Sequence, residues 1–367
     1  MAASERHFGL DLLRAWAILG VLALHAGLTR PDLPPRLLFL TQYGWVGVDL
    51  FFVLSGFLIA SQVMDAGELP RWEGVRRFWA RRWTRTLPLY FVVLAGYALL
   101  KPVLFRAPFH GSWRFLVFPQ NTAPLPDFVQ SWSLCIEEQF YFVFPLIYYV
   151  LRPRRAAWWL VPLAISVALR VQAWHALGLP AAVGLSYDPA TVDAVFRFST
   201  LRHLDGIAVG VFLAATRARW RCWAPAARVA GSGVAVALLA ATPLLFSATP
   251  GGGGVVVIFL WLAVLFGAML VGADVWSVGP PGGAVVERIA VWSYGAYLWN
   301  NVLMRLLPRW LPGVPWPAGV ALYFGGTLGI AALTYAVIEK PGMRLRRYFL
   351  PARPAAVTAP PAAPRAA

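Results

Sequence analysis

Long apolar segments separated by short polar loops run along almost the whole chain. A helix that spans the hydrocarbon core of a bilayer needs ~20 mostly apolar residues, and a window of that length predicts about ten such helices. They cover roughly residues 8–28, 43–63, 86–105, 130–151, 156–176, 199–216, 226–248, 253–273, 286–307 and 316–338. The pattern predicts an all-α, polytopic membrane protein.

The composition supports this prediction and excludes a water-soluble globule. Of the 367 residues, 59% are hydrophobic and 13% are charged, and the mean hydropathy is +0.63. A soluble globule of this size needs more polar surface. The formal net charge of +16 would also suit a nucleic-acid-binding protein. The arginines, however, lie in short clusters between apolar segments, where they set membrane topology, so nucleic acid is not an expected partner.

The distribution of positive charge predicts how the helices are oriented. Arginines and lysines are more frequent after the even-numbered segments than after the odd-numbered ones, as in Arg152, Arg154 and Arg155 after the fourth. Because such residues favour the cytoplasmic side, both termini are predicted to be cytoplasmic. Residues 1–350 are predicted to form one membrane-embedded domain, and the Pro- and Ala-rich residues 351–367 a disordered cytoplasmic tail.

Three ionisable residues interrupt the first segment, within "DLLRAWAILGVLALH": Asp11, Arg14 and His25. Eleven positions separate Arg14 from His25, so the two side chains leave one helix face roughly 16 Å apart along the axis. Each charge at membrane depth costs ~2.5 to 3.5 kcal/mol and is tolerated mainly where it pairs or lines a cavity. The predicted orientation places Arg14, which suits an anion, near the cytoplasm and His25, a proton acceptor, in the outer third of the bilayer.

Polar residues of four further segments are predicted at the depth of His25. They are Asp49, Glu137, Glu138, Arg202, His203, Asp205, Asn300 and Asn301. Ser133, Glu137 and Tyr141 recur every four residues and therefore share one helix face. Glu138 points about 100° away from Glu137 and is predicted to pack against a helix or to face a loop.

Local ion pairs would explain part of this buried charge without any function. The two candidate pairs are Asp11 with Arg14 and Arg202 with Asp205. A pair of this kind can have a structural role alone. His25 and Glu137 have no opposite charge beside them on their own helices, which favours a functional role for both.

An arginine cluster, in "RRFWARRWTRTLPLY", is predicted at the cytoplasmic mouth of the third segment. Arg81 and Arg85 are four positions apart and Arg82 and Arg85 three, so two or three guanidinium groups can face one ligand. Guanidinium suits bidentate phosphate binding. The alternative is that the arginines only set topology and contact lipid phosphates. We favour that alternative for residues 71–77 and ligand binding for Arg82 and Arg85.

Together these segments resemble the acyltransferase-3 family of integral membrane O-acyltransferases. The resemblance rests on "LDLLRAWAILGVLALH", "GVDLFFVLSGFLI", the Arg82-x-x-Arg85 element before "LPLY", "WSLCIEEQFYFVFPL" and "SYGAYLW", in the family's order. It implies ten core helices in a bacterial inner membrane. It also implies transfer of an acyl group, most simply acetyl, from cytosolic acyl-CoA to a hydroxyl of a sugar or sugar-bearing metabolite.

The resemblance implies roles for the ionisable residues. Arg14, Arg82 and Arg85, with Asp11 beside Arg14, would bind the phosphate end of coenzyme A. His25 would act at the thioester, with Glu137 nearby. Acyl-CoA, with acetyl-CoA as the default, is then a co-substrate. No permanently bound cofactor and no metal are expected, and the expected partners are a sugar-containing acceptor and membrane lipid. Residues assigned to the acceptor or to support of the site are Asp49, Ser133, Tyr141, Arg202, Asp205, Tyr297 and Asn300.

Direct transfer is the favoured mechanism, with neutral His25 removing the acceptor's hydroxyl proton. Glu137 could orient His25, stabilise the imidazolium or bind the sugar. Tyr297 or Asn300 could donate a hydrogen bond to the developing oxyanion. The family commonly has a histidine where this chain has Asn300, so the resemblance implies no proton relay at that position.

Three alternatives remain open from the sequence. Covalent transfer through Ser133 or Cys135 lacks a base at helical spacing, apart from Glu137 near Ser133. A proton-coupled transporter would also bury ionisable residues, but no internal repeat is visible. A membrane scaffold would not need the face that joins Arg14 to His25.

A disulfide between Cys135 and Cys222 is not expected, because they are predicted on opposite sides of the membrane.

Overall fold

A computed structural model describes residues 7–66, 69–110, 113–122, 127–153, 155–177, 193–247 and 254–349. The tail predicted for residues 351–367 lies outside these ranges. The described residues form helices and turns and contain no strand, which confirms the all-α fold.

Each of the ten predicted segments overlaps one principal helix. These helices are α1 (Phe8–Thr29), α2 (Val46–Asp65), α3 (Arg71–Phe105), α4 (Ser131–Leu146), α5 (Val161–Ala176), α6 (Asp205–Ala215), α7 (Pro225–Ser247), α8 (Gly254–Ala273), α9 (Ala284–Trp310) and α10 (Trp316–Thr334). An eleventh helix, α11 (Lys340–Phe349), follows α10 through a π-helical turn, Tyr335–Glu339. A π-helical turn, Ile147–Leu151, extends α4. Short helices lie between the principal ones, at Pro35–Thr41, Gln42–Trp45, Arg114–Val117, Gln120–Thr122, Ala156–Leu160, Asp193–Arg197, Thr200–Arg202 and Arg217–Trp220.

Eight helical segments in the described part of the chain are long and apolar enough to cross a membrane. The 11-residue α6 is apolar but shorter than a full span. Helix α9 is not among the eight, since Asn300, Asn301 and the charges near its ends lower its hydropathy. The protein is therefore a multi-pass membrane protein, while the count of ten spans and the cytoplasmic termini stay predictions.

Helix α3 begins about four turns earlier than the apolar pattern predicts. It starts at Arg71 rather than near residue 86, so the whole arginine cluster lies on the helix and not in a loop before it. The apolar window missed this half because its arginines alternate with tryptophan and phenylalanine. Pro88, inside α3, has no N–H for the carbonyl of Thr84. Gly342 of α11 packs at that carbonyl, where a Cβ would lie 2.8 Å from the oxygen.

Close backbone contact holds the centre of the helix bundle together. Helices α2 and α6 meet at Gly56 and Gly210: a Cβ on Gly56 would lie 2.3 Å from the Ile207 carbonyl oxygen, and one on Gly210 would lie 2.2 Å from that of Val53. Small residues allow such contacts between membrane helices. Helix α1 packs along both α2 and α9, which brings its ionisable face to the middle of the bundle.

Candidate active site

A cavity of about 700 Å³, part of it open to the outside, lies where α1, α2, α3, α4 and α9 meet. We call it the arginine pocket, because Arg14, Arg82 and Arg85 all line it. Its other polar lining residues are Ser55, Thr86, Ser133, Glu137, Ser293, Tyr294 and Tyr297. The structure thus brings together six predicted site residues from four helices: Arg14, Arg82, Arg85, Ser133, Glu137 and Tyr297.

The three arginines reach the pocket from two helices. Arg82 and Arg85 lie on the same face of α3, whereas Arg81 points outward and is exposed. Arg14 enters from α1, and its guanidinium Nη1 lies 3.7 Å from Asp11 Oδ1, as the sequence predicted for that local pair. Three guanidinium groups lining one cavity favour an anionic ligand with several oxygens, such as a group of phosphates.

A chain of hydrogen bonds connects Glu137 to Arg82. Ser55 Oγ donates to Glu137 Oε1. The Tyr141 hydroxyl lies 3.4 Å from Ser55 Oγ, to which it donates. The Tyr141 oxygen in turn accepts from Arg82, whose guanidinium carbon lies 4.0 Å from the centre of the Tyr141 ring. Tyr141, which was predicted to serve the acceptor, therefore contacts Arg82, and Glu137 belongs to the arginine pocket.

Sequence reasoning missed Ser55, although it lies in the quoted "LSGFLI" stretch. A serine in an apolar helix usually bonds its own backbone, so its type and position carried no signal. What could have identified it is the combination of a small polar residue with the buried carboxylate of Glu137, which needs a donor.

His25 lies outside the lining of the arginine pocket, toward the other end of α1. Its Nδ1 is 2.8 Å from the Val21 carbonyl oxygen. Because a carbonyl only accepts, Nδ1 carries the hydrogen, and in the neutral ring Nε2 has the lone pair. The turn Gln42–Trp45 packs against α1 nearby, with Gly44 against Gly20. No contact between His25 and Glu137 is seen within the described ranges, so Glu137 is not placed to orient the imidazole.

The two predicted oxyanion donors are engaged elsewhere. The Tyr297 hydroxyl donates to the Gln130 carbonyl oxygen at 2.9 Å. Ser133 Oγ lies 2.6 Å from the Tyr297 hydroxyl and must be the donor of that bond, since Tyr297 has a single hydroxyl proton. Asn300 is fully buried, and its amide donates to the Tyr297 carbonyl oxygen at 2.6 Å.

Asp205 forms its ion pair with Arg170, which corrects the predicted pair with Arg202. The Arg170 guanidinium donates to both carboxylate oxygens of Asp205, at 2.6 and 2.8 Å, and both side chains are almost completely buried. The Arg202 guanidinium instead donates to the Val195 carbonyl oxygen at 3.2 Å. A single arginine within the apolar fifth segment was the signal for a buried partner, but the sequence cannot say which acid it meets.

Asp49 pairs with His203 in the same region. His203 Nε2 lies 2.8 Å from Asp49 Oδ1, and His203 Nδ1 lies 2.7 Å from the Arg197 carbonyl oxygen. The predicted acceptor residues Asp49 and Asp205 thus fix the segment that precedes α6. Neither lines the arginine pocket.

The two candidates for covalent catalysis have little support in the structure. Cys135 is completely buried and its Sγ donates to the Ser131 carbonyl oxygen at 3.1 Å. Ser133 lines the pocket but its proton is directed to Tyr297. Cys135 and Cys222 are both free thiols.

The fold defines a multi-pass membrane protein with a polar cavity between its helices, and comparison with known proteins identifies its class. The family model Acyl_transf_3, an acyltransferase domain, matches residues 7–336, and the chain belongs to this family. The protein is therefore a membrane acyltransferase.

Several relatives are similar over part or nearly all of the chain. Acyltransferase MdmB of Streptomyces mycarofaciens is 27% identical over 393 residues, which cover 91% of this chain and 90% of the relative. O-acetyltransferase OatA of Staphylococcus aureus is 34% identical over 158 residues, 38% of this chain and 24% of OatA. The putative peptidoglycan O-acetyltransferase YrhL of Bacillus subtilis is 31% identical over 156 residues, 38% of this chain and 23% of YrhL. No solved structure matches the chain significantly. The relatives support transfer to oxygen.

Proposed function

We propose that the protein transfers an acyl group, most simply acetyl, from cytosolic acyl-CoA to a hydroxyl of a sugar or a glycosylated acceptor. The observation that carries this proposal is the convergence of Arg14, Arg82 and Arg85 on one partly open cavity. Coenzyme A presents several phosphate oxygens at one end, and guanidinium groups bind such oxygens in bidentate fashion.

The geometry of α1 supports separate roles for its two ends. Arg14 lines the arginine pocket, whereas His25 lies on the same helix face roughly 16 Å further along the axis. Acyl-CoA is elongated, with its phosphates at one end and its thioester at the other. A donor bound by the arginines would therefore extend along α1 and bring its thioester toward His25.

His25 is the proposed general base. Its Nδ1–H is directed to the Val21 carbonyl, which leaves the Nε2 lone pair for the acceptor's proton. The acceptor oxygen attacks the thioester carbonyl carbon, a C–O bond forms, and the proton moves to Nε2. The tetrahedral intermediate then loses the thiolate as the C–S bond breaks, and the imidazolium returns the proton to sulfur. The products are the acyl ester and free coenzyme A.

Glu137 has a supporting role on the donor side in this proposal. Its bond from Ser55 holds the carboxylate at one wall of the pocket, beside Arg82 and its Tyr141 partner. There it offsets part of the positive charge when no donor is bound. Of the roles that the sequence left open for Glu137, orientation of His25 has the least support.

The relatives support a sugar-bearing acceptor, and a bacterial inner membrane is the proposed location of this multi-pass protein. YrhL is named a putative peptidoglycan O-acetyltransferase, and peptidoglycan is a glycan. MdmB is an acyltransferase similar over nearly the whole of this chain. A surface glycan or a glycosylated small molecule would each present a suitable hydroxyl.

Acetyl-CoA turnover by the purified protein in detergent tests this function. The wild type would be compared with His25→Ala, Arg14→Ala and, as a control, Arg76→Gln, an exposed arginine on α3. We expect His25→Ala to lose turnover but still bind coenzyme A, and Arg14→Ala to bind it at least tenfold more weakly. Catalysis without a membrane gradient also excludes pure transport. If both variants bind and turn over acetyl-CoA like the control, the proposed roles are wrong.

A further inference from the structure

Three side chains on one face of α4 mark positions along the arginine pocket. Ser133, Glu137 and Tyr141 follow each other at intervals of one turn, which is about 6 Å along the helix axis. Tyr141 contacts Arg82, so this position lies at the end of the pocket that holds the guanidinium groups. Ser133 contacts the Tyr297 hydroxyl at 2.6 Å and marks the other end, which we call the serine end. Glu137 lies between the two ends.

The serine end of the pocket is mostly apolar. Its lining residues come from the first two turns of α2 and from α4 next to Ser133, and they are Val48, Phe51, Phe52 and Leu134. Phosphate groups gain nothing from such walls, whereas methyl and methylene groups are stabilised by burial against them. The pocket as a whole therefore fits a ligand that is anionic at one end and neutral and largely apolar at the other.

The hydroxyl groups that line the pocket already donate to protein acceptors. The Ser133 proton is directed to Tyr297, and the Tyr297 proton to the Gln130 carbonyl oxygen. Tyr294 donates to the Thr86 carbonyl oxygen at 2.8 Å. Apart from the guanidinium groups, these side chains therefore offer a ligand acceptors rather than donors.

Glu137 is the strongest acceptor in the described lining, because it is the one carboxylate there. A carboxylate accepts at about four positions, and Ser55 uses one of them. The Tyr141 hydroxyl has a single proton, which is directed to Ser55. Since the Glu137 side chain is only half-buried and lines the cavity, it keeps acceptor capacity for a ligand. A negative charge at this position repels phosphate groups but binds N–H and O–H groups strongly.

We propose that Glu137 accepts a hydrogen bond from the pantetheine arm of the donor and thereby makes the pocket specific for coenzyme A esters over other nucleotides. This inference rests on the proposed function. Pantetheine is neutral and carries methyl groups, a hydroxyl and amide N–H groups between the phosphates and the sulfur. With the phosphates at the guanidinium groups, the arm passes Glu137 and enters the serine end. A nucleotide without the arm brings no donor to Glu137 and meets only its negative charge.

The test measures binding of two probes to the purified protein by calorimetry in detergent. One probe is coenzyme A, and the other is its nucleotide half alone, which is ADP with a phosphate on the ribose. Because a hydrogen bond to a charged group is lost, we expect Glu137→Ala to bind coenzyme A roughly tenfold or more weakly. Glu137→Gln keeps a neutral acceptor and should lose less. Both variants should bind the nucleotide half at least as tightly as the wild type, since a negative charge near the phosphates is gone.

The control is Glu73→Gln, at the start of α3 and outside the pocket lining, which should bind both probes like the wild type. If Glu137→Ala binds coenzyme A as tightly as this control does, the arm does not contact Glu137 and the inference is wrong. If Glu137→Ala and Glu137→Gln lose affinity for both probes equally, Glu137 only maintains the pocket and the inference is again wrong. Either result leaves the proposed function intact. If the wild type binds neither probe and does not turn over acetyl-CoA, the proposed function fails, and this inference fails with it.

Discussion

Ser55 donates a hydrogen bond to Glu137 across the arginine pocket, from α2 to α4. The bond fixes the carboxylate of Glu137, the one acid in the described lining of the pocket, on the α4 side beside Arg82 and its Tyr141 partner without a direct ion pair. A carboxylate free to rotate would pair with Arg82 or Arg85 and compete with phosphate oxygens. Ser55 thus keeps the positive charge of the pocket available to a ligand.

Replacement of Ser55 by alanine should therefore weaken donor binding. A hydrogen bond to a charged group contributes about 1.5 to 3 kcal/mol, so we expect the KM for acetyl-CoA to rise roughly tenfold or more in Ser55→Ala. The kcat at saturating acetyl-CoA should change much less. Ser61→Ala is the matched control on the same helix, because the buried Ser61 hydroxyl has no hydrogen-bond partner among the described residues. Equal KM values for the two variants would contradict the role of Ser55.

Tyr141 should contribute to donor binding through Arg82, in two separable ways. Tyr141→Phe removes the hydroxyl that accepts from Arg82 but keeps the ring 4.0 Å from the guanidinium. We expect the affinity for coenzyme A to fall roughly fivefold, since one hydrogen bond contributes about 1 kcal/mol. Tyr141→Leu removes the ring as well and should weaken binding further. Binding by calorimetry in detergent would measure both.

The control for this series is Tyr323→Phe. The Tyr323 hydroxyl is buried without a hydrogen-bond partner in the described part of the chain, and it lies outside the arginine pocket. Its removal should leave coenzyme A affinity unchanged. If Tyr141→Phe binds coenzyme A as tightly as Tyr323→Phe does, Arg82 does not depend on Tyr141 for its position.

The sequence predicted those parts of the site that depend on spacing within one helix. Arg82 and Arg85 share a face because they are three positions apart, and Arg14 and His25 because they are eleven apart. These relationships within one helix do not depend on how the helices pack against each other. Hydropathy likewise located all ten principal helices, and it misplaced the start of α3 because arginines there lower the apolar average while the helix continues.

Pairs between helices could not be predicted in the same way. Asp205 has Arg202 three positions before it, yet it pairs with Arg170, 35 positions away. Ser55 and Glu137 are 82 positions apart. Which of several possible partners a buried charge meets depends on how the helices are arranged, and this sequence contains more than one arginine for each acid.

The choice of partner for Asp205 has a measurable consequence. Breaking a buried ion pair by removing one member costs about 3 to 5 kcal/mol, because the other charge stays buried. We expect Arg170→Ala to lower the thermal midpoint in detergent strongly. Arg202→Gln, which removes the partner that sequence proximity suggested, should have a much smaller effect. A double replacement, Arg170→Leu with Asp205→Leu, should recover part of the loss, since no unpaired charge remains.

A larger loss of stability in Arg202→Gln than in Arg170→Ala would favour the local pair of Arg202 with Asp205. A double variant that is less stable than Arg170→Ala alone would show that the loss comes from packing rather than from an unpaired Asp205.

The glycine of the "LSGFLI" stretch should be required for the fold that positions Ser55. A Cβ at Gly56 would lie 2.3 Å from the Ile207 carbonyl oxygen, and neither backbone can move without separating α2 from α6. Overpacking of this kind typically costs about 1 to 3 kcal/mol, and here the clash is with main chain. We expect Gly56→Ala to lower the thermal midpoint and the yield of monodisperse protein, and to raise the KM for acetyl-CoA because Ser55 is one residue away.

Gly96→Ala on α3 separates this effect from helix propensity. Nothing lies within 4 Å of a Cβ at Gly96, so alanine there should be neutral or stabilising by up to about 1 kcal/mol. Size-exclusion chromatography and thermal unfolding in detergent would compare the two variants. If Gly56→Ala is as stable as Gly96→Ala, helices α2 and α6 do not touch at Gly56, and the position of Ser55 in the arginine pocket would need another explanation.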